Sequence, residues 1–166
     1  MIKQKCCPEC GEKLIELELE NEGLVPYCKS CKEYRFPMYN VAVSMITVDI
    51  NTNKILLIQQ YQKKFNILVA GYVNLGEGLE DAVKRELSEE VNLVPIKVEF
   101  NTSKYYPNSN TLMCNFIAYI KDIESLKINR EVDTYNWYTK SDALENIKPE
   151  SLAKYFYLEF LKKYPD

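Results

Sequence analysis

The stretch GYVNLGEGLEDAVKRELSEEVNL, Gly71–Leu93, decides the reading of this chain, because five of its last fourteen residues are carboxylates crowded beside Arg85. Leu79, Val83, Leu87 and Val91 recur every four residues and predict a helix over Leu79–Val91 that lies on a sheet through this apolar stripe. Glu86, Glu89 and Glu90 stand at i, i+3 and i+4, so they share a helix face, expected to be the one left free for chemistry. Like charges at this spacing repel by a few tenths of a kcal/mol per pair, so a counter-charge is required. Hard divalent cations such as Mg2+ take oxygen ligands and often bridge a few carboxylates to substrate phosphates.

Working outward, NVAVSMITVDI (40–50), the turn NTN and KILLIQQY (54–61) read as a hairpin, and ILVAGYV (67–73) as a buried strand. The segment NLGEG (74–78) is a loop. Two further strands, PIKVEFNTSKYY (95–106) and TLMCNFIAYI (111–120), are joined across PNSN, and YNWY (135–138) is a short strand. A helix over Ser141–Ile147 and a longer one starting near Pro149, with proline in its first turn, complete the chain. Strands mixed with helices indicate a layered α/β or α+β fold.

The cysteines Cys7, Cys10, Cys28 and Cys31 give C-x2-C-x17-C-x2-C, a spacing suited to four-thiolate zinc. A closed shell of four thiolates leaves no open position, so such a zinc is structural. Cys6 competes with Cys7 for this role, but the CPECG turn favours Cys7 and Cys10. Cys114, in an apolar strand, reads as a core residue. Residues 1–37 are therefore expected to form a zinc ribbon and residues 38–166 the main domain.

The chain has 166 residues, 21 basic and 24 acidic, with a formal net charge of −3 and no histidine. That balance gives no global field to attract nucleic acid or an anionic membrane. The lack of histidine excludes histidine triads and histidine general bases. No apolar run reaches the roughly 20 residues that span a bilayer, and Met1–Lys5 has no apolar stretch of a signal peptide. The expected location is cytoplasmic.

Read from Gly71, the pattern is G-x5-E-x7-R-E-L-x-E-E-x-N-L, which closely resembles the Nudix box, G-x5-E-x7-R-E-U-x-E-E-x-G-U with U aliphatic. Asn92 replaces the second glycine, at a position expected to need the left-handed backbone that Asn tolerates. The resemblance implies an α/β/α sandwich with a mixed sheet. It makes Glu86, Glu89 and Glu90 ligands of Mg2+ or Mn2+, with Glu90 or Glu89 deprotonating the attacking water. Arg85 then orients a glutamate and Glu77 supports the loop.

A zinc ribbon ahead of such a domain resembles the NADH pyrophosphatase family, which cleaves NAD(H) to nicotinamide mononucleotide and AMP. YRFP (34–37), LVAGYV (68–73) and NWY (136–138) match family segments. The family's SQPWPFPxS motif matches SKYYPNSNT (103–111) poorly: Ser103 and Pro107 are kept and Tyr106 replaces the Trp, while Lys104, Tyr105, Asn108 and Ser109 depart. By the same comparison Tyr72 stacks on a substrate ring, Glu131 adds a metal ligand, Ala153 and Tyr106 line the base pocket, and Phe36 reaches across a homodimer. The implied substrate is a small nucleotide. Removal of NAD caps from RNA is a family analogy that the charge does not support. The competing readings are an ADP-ribose or other nucleotide-sugar pyrophosphatase, and a non-catalytic nucleotide- or nucleic-acid-binding module.

Overall fold

The computed structural model describes residues 4–165, so the outermost residues of the two expected segments lie outside it. The chain divides into two compact units, Met1–Asn40 with Tyr106–Thr111, and Val41–Tyr105 with Leu112–Asp166.

In the first unit, β1 (Ile15–Leu19), β2 (Gly23–Cys28) and β3 (Glu33–Tyr34) form an antiparallel sheet in the order β1-β2-β3. Its strands are short and largely exposed, and its buried residues include Cys7, Val25 and Cys28.

The second unit is built on a 6-stranded sheet. Its strands are β4 (Asn40–Asp49), β5 (Ile55–Gln60), β6 (Val69–Tyr72), β7 (Lys97–Tyr106), β8 (Thr111–Ile120) and β9 (Val132–Tyr138). The order is β7-β8-β4-β5-β9, with β6 also paired to β4. Pairings of β4 with β5 and β6, and of β5 with β9, are antiparallel. Asn40 donates to the Asn110 carbonyl and Ile50 to that of Ile120, so β4 and β8 run in the same direction. The sheet is therefore mixed.

Both faces of this sheet are covered. Val43 and Met45 of β4, Leu56 and Ile58 of β5, and Phe116 and Ala118 of β8 pack with Ala82, Val83, Leu87 and Val91 of α1 (Leu79–Val91). The alternate residues Ile46, Val48, Ile55, Leu57 and Ile117 pack with Ala143 of α2 (Lys140–Asn146) and Phe156, Tyr157 and Phe160 of α3 (Leu152–Lys163). Period-two alternation thus divides the apolar residues between two cores, which gives the expected α/β/α layers. Cys114 lies in the α1-side core.

α1 keeps its expected limits. Asn92 has φ 54 and ψ 36, and its N–H returns to the Leu87 and Ser88 carbonyls while its side-chain amide donates to Ser125 O at 2.7 Å. This accounts for Asn in place of Gly, since Asn tolerates the left-handed region and adds a tether. The last helix differs from expectation. Pro149 precedes it: Glu150 has φ 51, which breaks helical continuity, and Ser151 caps α3 by accepting from the Lys154 N–H at 3.1 Å.

Asn92→Ala is expected to lower stability by about 1 to 2 kcal/mol, from left-handed strain and the lost tether, whereas Asn92→Gly costs less. Urea denaturation followed by circular dichroism checks this order.

Candidate active site

β4 pairs with β6 over Ala42–Met45 and Val69–Tyr72, which fixes β6 beneath α1. Gly71 shares the face of Val69, two residues before it, and therefore points at the helix. A Cβ at Gly71 would lie 2.0 Å from the Glu86 carboxyl carbon and Oε1. The glycine is there because the Glu86 carboxylate occupies the space a side chain would fill.

Arg85 organises the acidic residues. Its Nε donates to Glu77 Oε1 at 2.7 Å and its Nη2 to Glu77 Oε2 at 2.9 Å, while Nη1 reaches Glu86 Oε1 at 2.7 Å and Glu89 Oε2 at 3.1 Å. Nη2 also donates to the Tyr72 carbonyl at 2.9 Å, tying the helix to the end of β6. Glu77 accepts the Asn74 N–H at 2.9 Å as well. These donors, Arg85 first, hold the Glu77 carboxyl down at about 2.

Glu86 and Glu90 do not face away from the sheet, as the sequence led us to expect. They are 8% and 4% exposed and flank the apolar stripe on its buried side, and Glu89 is the carboxylate left open to solvent. One residue of helix rotates by 100°, so Glu86 and Glu90 remain within the inward-facing half next to Leu87 and Val91. Burial first, and then the charges of Glu86, Glu131 and Glu89, push the Glu90 carboxyl up to about 8, against the opposing hydrogen bond from Gln60 Nε2 at 2.9 Å.

A cleft of about 450 Å³ opens here, lined by Glu86, Glu89, Glu90 and Glu131 together with Gln60, Tyr61, Gly71 and Tyr72. Tyr72 is 57% exposed, with a face available to a planar ring. Glu131 accepts the Tyr61 hydroxyl at 3.1 Å, and its N–H is held by Asn129 Oδ1 at 2.8 Å. The four carboxylates border one cavity without converging within 4.8 Å of one another; among the described residues, only the four-cysteine group meets that spacing.

Ala153 packs against the α2 and α3 core and is not among the residues lining the cleft. Tyr106 belongs to the first unit, where its hydroxyl accepts from Asn108 Nδ2 at 3.1 Å, and Phe36 of that unit is exposed. Gln60, Tyr61 and Asn129 are cleft residues that the sequence reading did not name. Gln60 was within reach: Leu56, Ile58 and Gln60 share one face of β5, so a polar residue ends an apolar series.

In the first unit, the Cys7, Cys10, Cys28 and Cys31 Sγ atoms all lie within 4.8 Å of one another. Cys7 and Cys31 are 3.8 Å apart and Cys10 and Cys28 3.4 Å, close to the edge of about 3.8 Å that a tetrahedron with bonds of about 2.3 Å requires. Arg35 is held by Glu9 and Glu33 at 2.9 and 2.8 Å, and contact with the Cys7 and Cys31 sulfurs raises its pKa. Cys6 is exposed and outside the group.

Residues 38–159 match the NUDIX domain family model. The chain belongs to the NUDIX domain family. Among curated NUDIX relatives, the NAD-capped RNA hydrolase NudC of Klebsiella pneumoniae is 31% identical over 140 residues, covering 83% of this chain and 52% of that protein. The Yersinia pestis protein of the same name is 30% identical over 145 residues, covering 86% and 54%. The chain thus spans about half the length of the curated relatives it matches. A NUDIX hydrolase structure from Nitrosomonas europaea superposes with TM-score 0.64 at 20% identity, covering 98% of this chain and 92% of that one. The NUDIX domain of Shewanella oneidensis NrtR, complexed with ADP ribose, gives TM-score 0.64 at 17% identity, covering 82% and 93%. At those identities the structures establish the NUDIX fold alone. No described helix is long and apolar enough to cross a membrane.

The Glu90 carboxyl has a folded pKa raised from its ordinary 4.5 to about 8, so its contribution favours the fold below 4.5 and is lost as pH rises toward 8. In buffer without divalent cations, Glu90→Gln should remove this part of the decline. The variant is expected to melt about 5 °C or more above the parent at pH 8.5, with a smaller difference at pH 5, by scanning calorimetry.

Proposed function

We propose that this chain is a divalent-cation-dependent pyrophosphohydrolase that cleaves the diphosphate of NAD(H) or a related dinucleotide to NMN(H) and AMP. The observation that carries the reading is the cleft lined by four carboxylates, where Arg85 bonds Glu86 and Glu89 and Glu90 stays buried with no cationic partner in hydrogen-bond range among the described residues. A site that gathers four carboxyl groups around a single guanidinium suits a hard cation, and the donor set consists of the oxygens such ions take. Glu86, Glu89, Glu90 and Glu131 would hold Mg2+ or Mn2+. When bound, the cation supplies positive charge against the diphosphate and makes water more acidic.

The chain's own residues perform the rest. Water attacks one phosphorus, the bridging P–O bond breaks, and the second phosphate leaves. Glu90 accepts the water's proton at its carboxylate, which Gln60 holds by a hydrogen bond, with Glu89 as the alternative acceptor. Arg85 keeps Glu86 and Glu89 on the cleft side of the helix, anchored through Glu77 and the β6 carbonyl. Tyr72 offers its ring to the nicotinamide or the base.

Around this centre the proposal includes a structural zinc on Cys7, Cys10, Cys28 and Cys31, which requires the reduced thiols of a cytoplasmic setting. It also includes a homodimer with Phe36 at its contact. The 103–111 segment, eroded relative to the NADH-specific motif, favours ADP-ribose or a nucleotide sugar as a second reading, and the ADP-ribose complex of a NUDIX neighbour agrees with that chemistry. Capped RNA is the substrate class in the relatives' name, but a sequence pI of about 5.2 offers no basic track for an RNA body.

The test is a panel of NADH, NAD+, ADP-ribose, diadenosine polyphosphates, dNTPs and NAD-capped RNA with Mg2+ or Mn2+, with products resolved by chromatography. NADH or NAD+ is expected to give NMN(H) and AMP, and Glu90→Gln to lower kcat about 10²- to 10⁴-fold. Turnover of ADP-ribose alone selects the second reading. No hydrolysis of any member, or a variant as active as the parent, leaves a non-catalytic binding module.

A further inference from the structure

The turn that follows β5 is strained at the cleft. Tyr61 and Gln62 are consecutive non-glycine residues in the left-handed region, with φ 55 and φ 59. Each costs on the order of 1 kcal/mol there, and an aromatic residue lacks the local hydrogen bonds that compensate Asn or Asp. The Lys63 N–H returns to the Gln60 carbonyl at 3.1 Å, and the Gln62 N–H is held by Asp133 Oδ2 at 2.5 Å. Burial does not hold the Tyr61 ring, which is 62% exposed. Its polar anchor is the hydroxyl, bonded to Glu131 Oε2 at 3.1 Å in the cleft that both residues line.

The cleft carboxylates are each met by a donor of the chain. Arg85 holds Glu86 and Glu89, Gln60 holds Glu90, and Tyr61 holds Glu131. Two of these donors come from adjacent residues at the end of β5, and both are neutral. A neutral donor fixes a carboxylate's direction without cancelling its charge, which leaves that charge for a cation. Glu131, exposed like Glu89 but bonded by Tyr61 rather than by Arg85, depends on this help, since the Asn129 side chain fixes only its backbone N–H. Freezing a free glutamate side chain costs up to about 2 kcal/mol of rotamer entropy, so a carboxylate already held in place binds a cation more tightly.

We propose that Tyr61 is a positioning residue, whose hydroxyl holds the Glu131 carboxylate in the cleft as part of the oxygen set that takes the divalent cation. This rests on the hydrolase reading above. The left-handed turn is what aims a phenol from the strand end at that carboxylate.

A double-variant cycle on the full chain, with Mn2+ binding read by electron paramagnetic resonance, tests it. Tyr61→Phe keeps the ring and the turn and is expected to weaken Mn2+ about fivefold or more, the loss of one hydrogen bond to a charged group. In a Glu131→Gln background the same change is expected to do nothing further. In turnover assays Tyr61→Phe should raise the Mn2+ concentration for half activation, with KM for the nucleotide unchanged within about twofold and the melting temperature unchanged. Equal Mn2+ affinity in Tyr61→Phe and parent, or the same loss in both backgrounds, overturns the proposal. If the parent binds Mn2+ but hydrolyses nothing in the panel, the hydrolase reading fails while the cycle still decides the role of Tyr61. A parent that binds no Mn2+ overturns both.

Discussion

One guanidinium holds the candidate site together. Arg85 binds Glu77 through two hydrogen bonds, reaches Glu86 and Glu89, and donates to the Tyr72 carbonyl, so loop, helix and strand meet on a single side chain. Glu77 takes most of its charge, which is why that carboxyl is held down at about 2. What remains for Glu86 and Glu89 is direction with incomplete neutralisation, and among the described residues Glu90 has no cation in its hydrogen bonds. The arrangement gathers carboxyl groups at a cleft wall with more acidic side chains than the one guanidinium can neutralise.

The packing around Arg85 explains how a buried carboxylate pair is tolerated. Val83, Leu87 and Val91 seat α1 on the sheet, which brings Glu86 over Gly71, where no Cβ stands in the way. Glu90 sits one turn further along, against Gln60 at the end of β5. Burial raises its carboxyl to about 8, so near neutral pH in the absence of cations it is largely protonated. Binding of a divalent cation would therefore compete with a proton at this residue, and the same desolvation that destabilises the empty charge strengthens its pairing with an ion.

Much of this was legible in the residues. The four-residue repeat marked α1 to its ends, and the fixed spacing from Gly71 through Glu77 to Glu90 marked the family and the acidic set. Asn92 pointed to a left-handed helix stop, and the paired cysteines pointed to a group whose sulfurs do lie together. What the sequence concealed depends on three-dimensional approach. The helical wheel sets Glu86 and Glu90 beside the apolar stripe, but not how closely Gly71 of β6 and Gln60 of β5 approach them. Tyr61 and Asn129 reach the cleft from distant parts of the chain, just after β5 and just before β9, and no local pattern announces that. Pro149 misplaced the start of α3 because the positive φ of Glu150 cannot be read from a glutamate.

The central claim is that Glu86, Glu89 and Glu90, positioned at the cleft by Arg85 and Gln60, share a divalent cation. Anomalous diffraction at the manganese edge, from crystals soaked in Mn2+ and a non-hydrolysable dinucleotide, tests it most directly. The account predicts manganese peaks in the cleft with Glu90 and at least one of Glu86 and Glu89 as ligands, their oxygens turned toward the ion and the diphosphate. A cleft without manganese, or an ion held away from Glu86, Glu89 and Glu90, would contradict it.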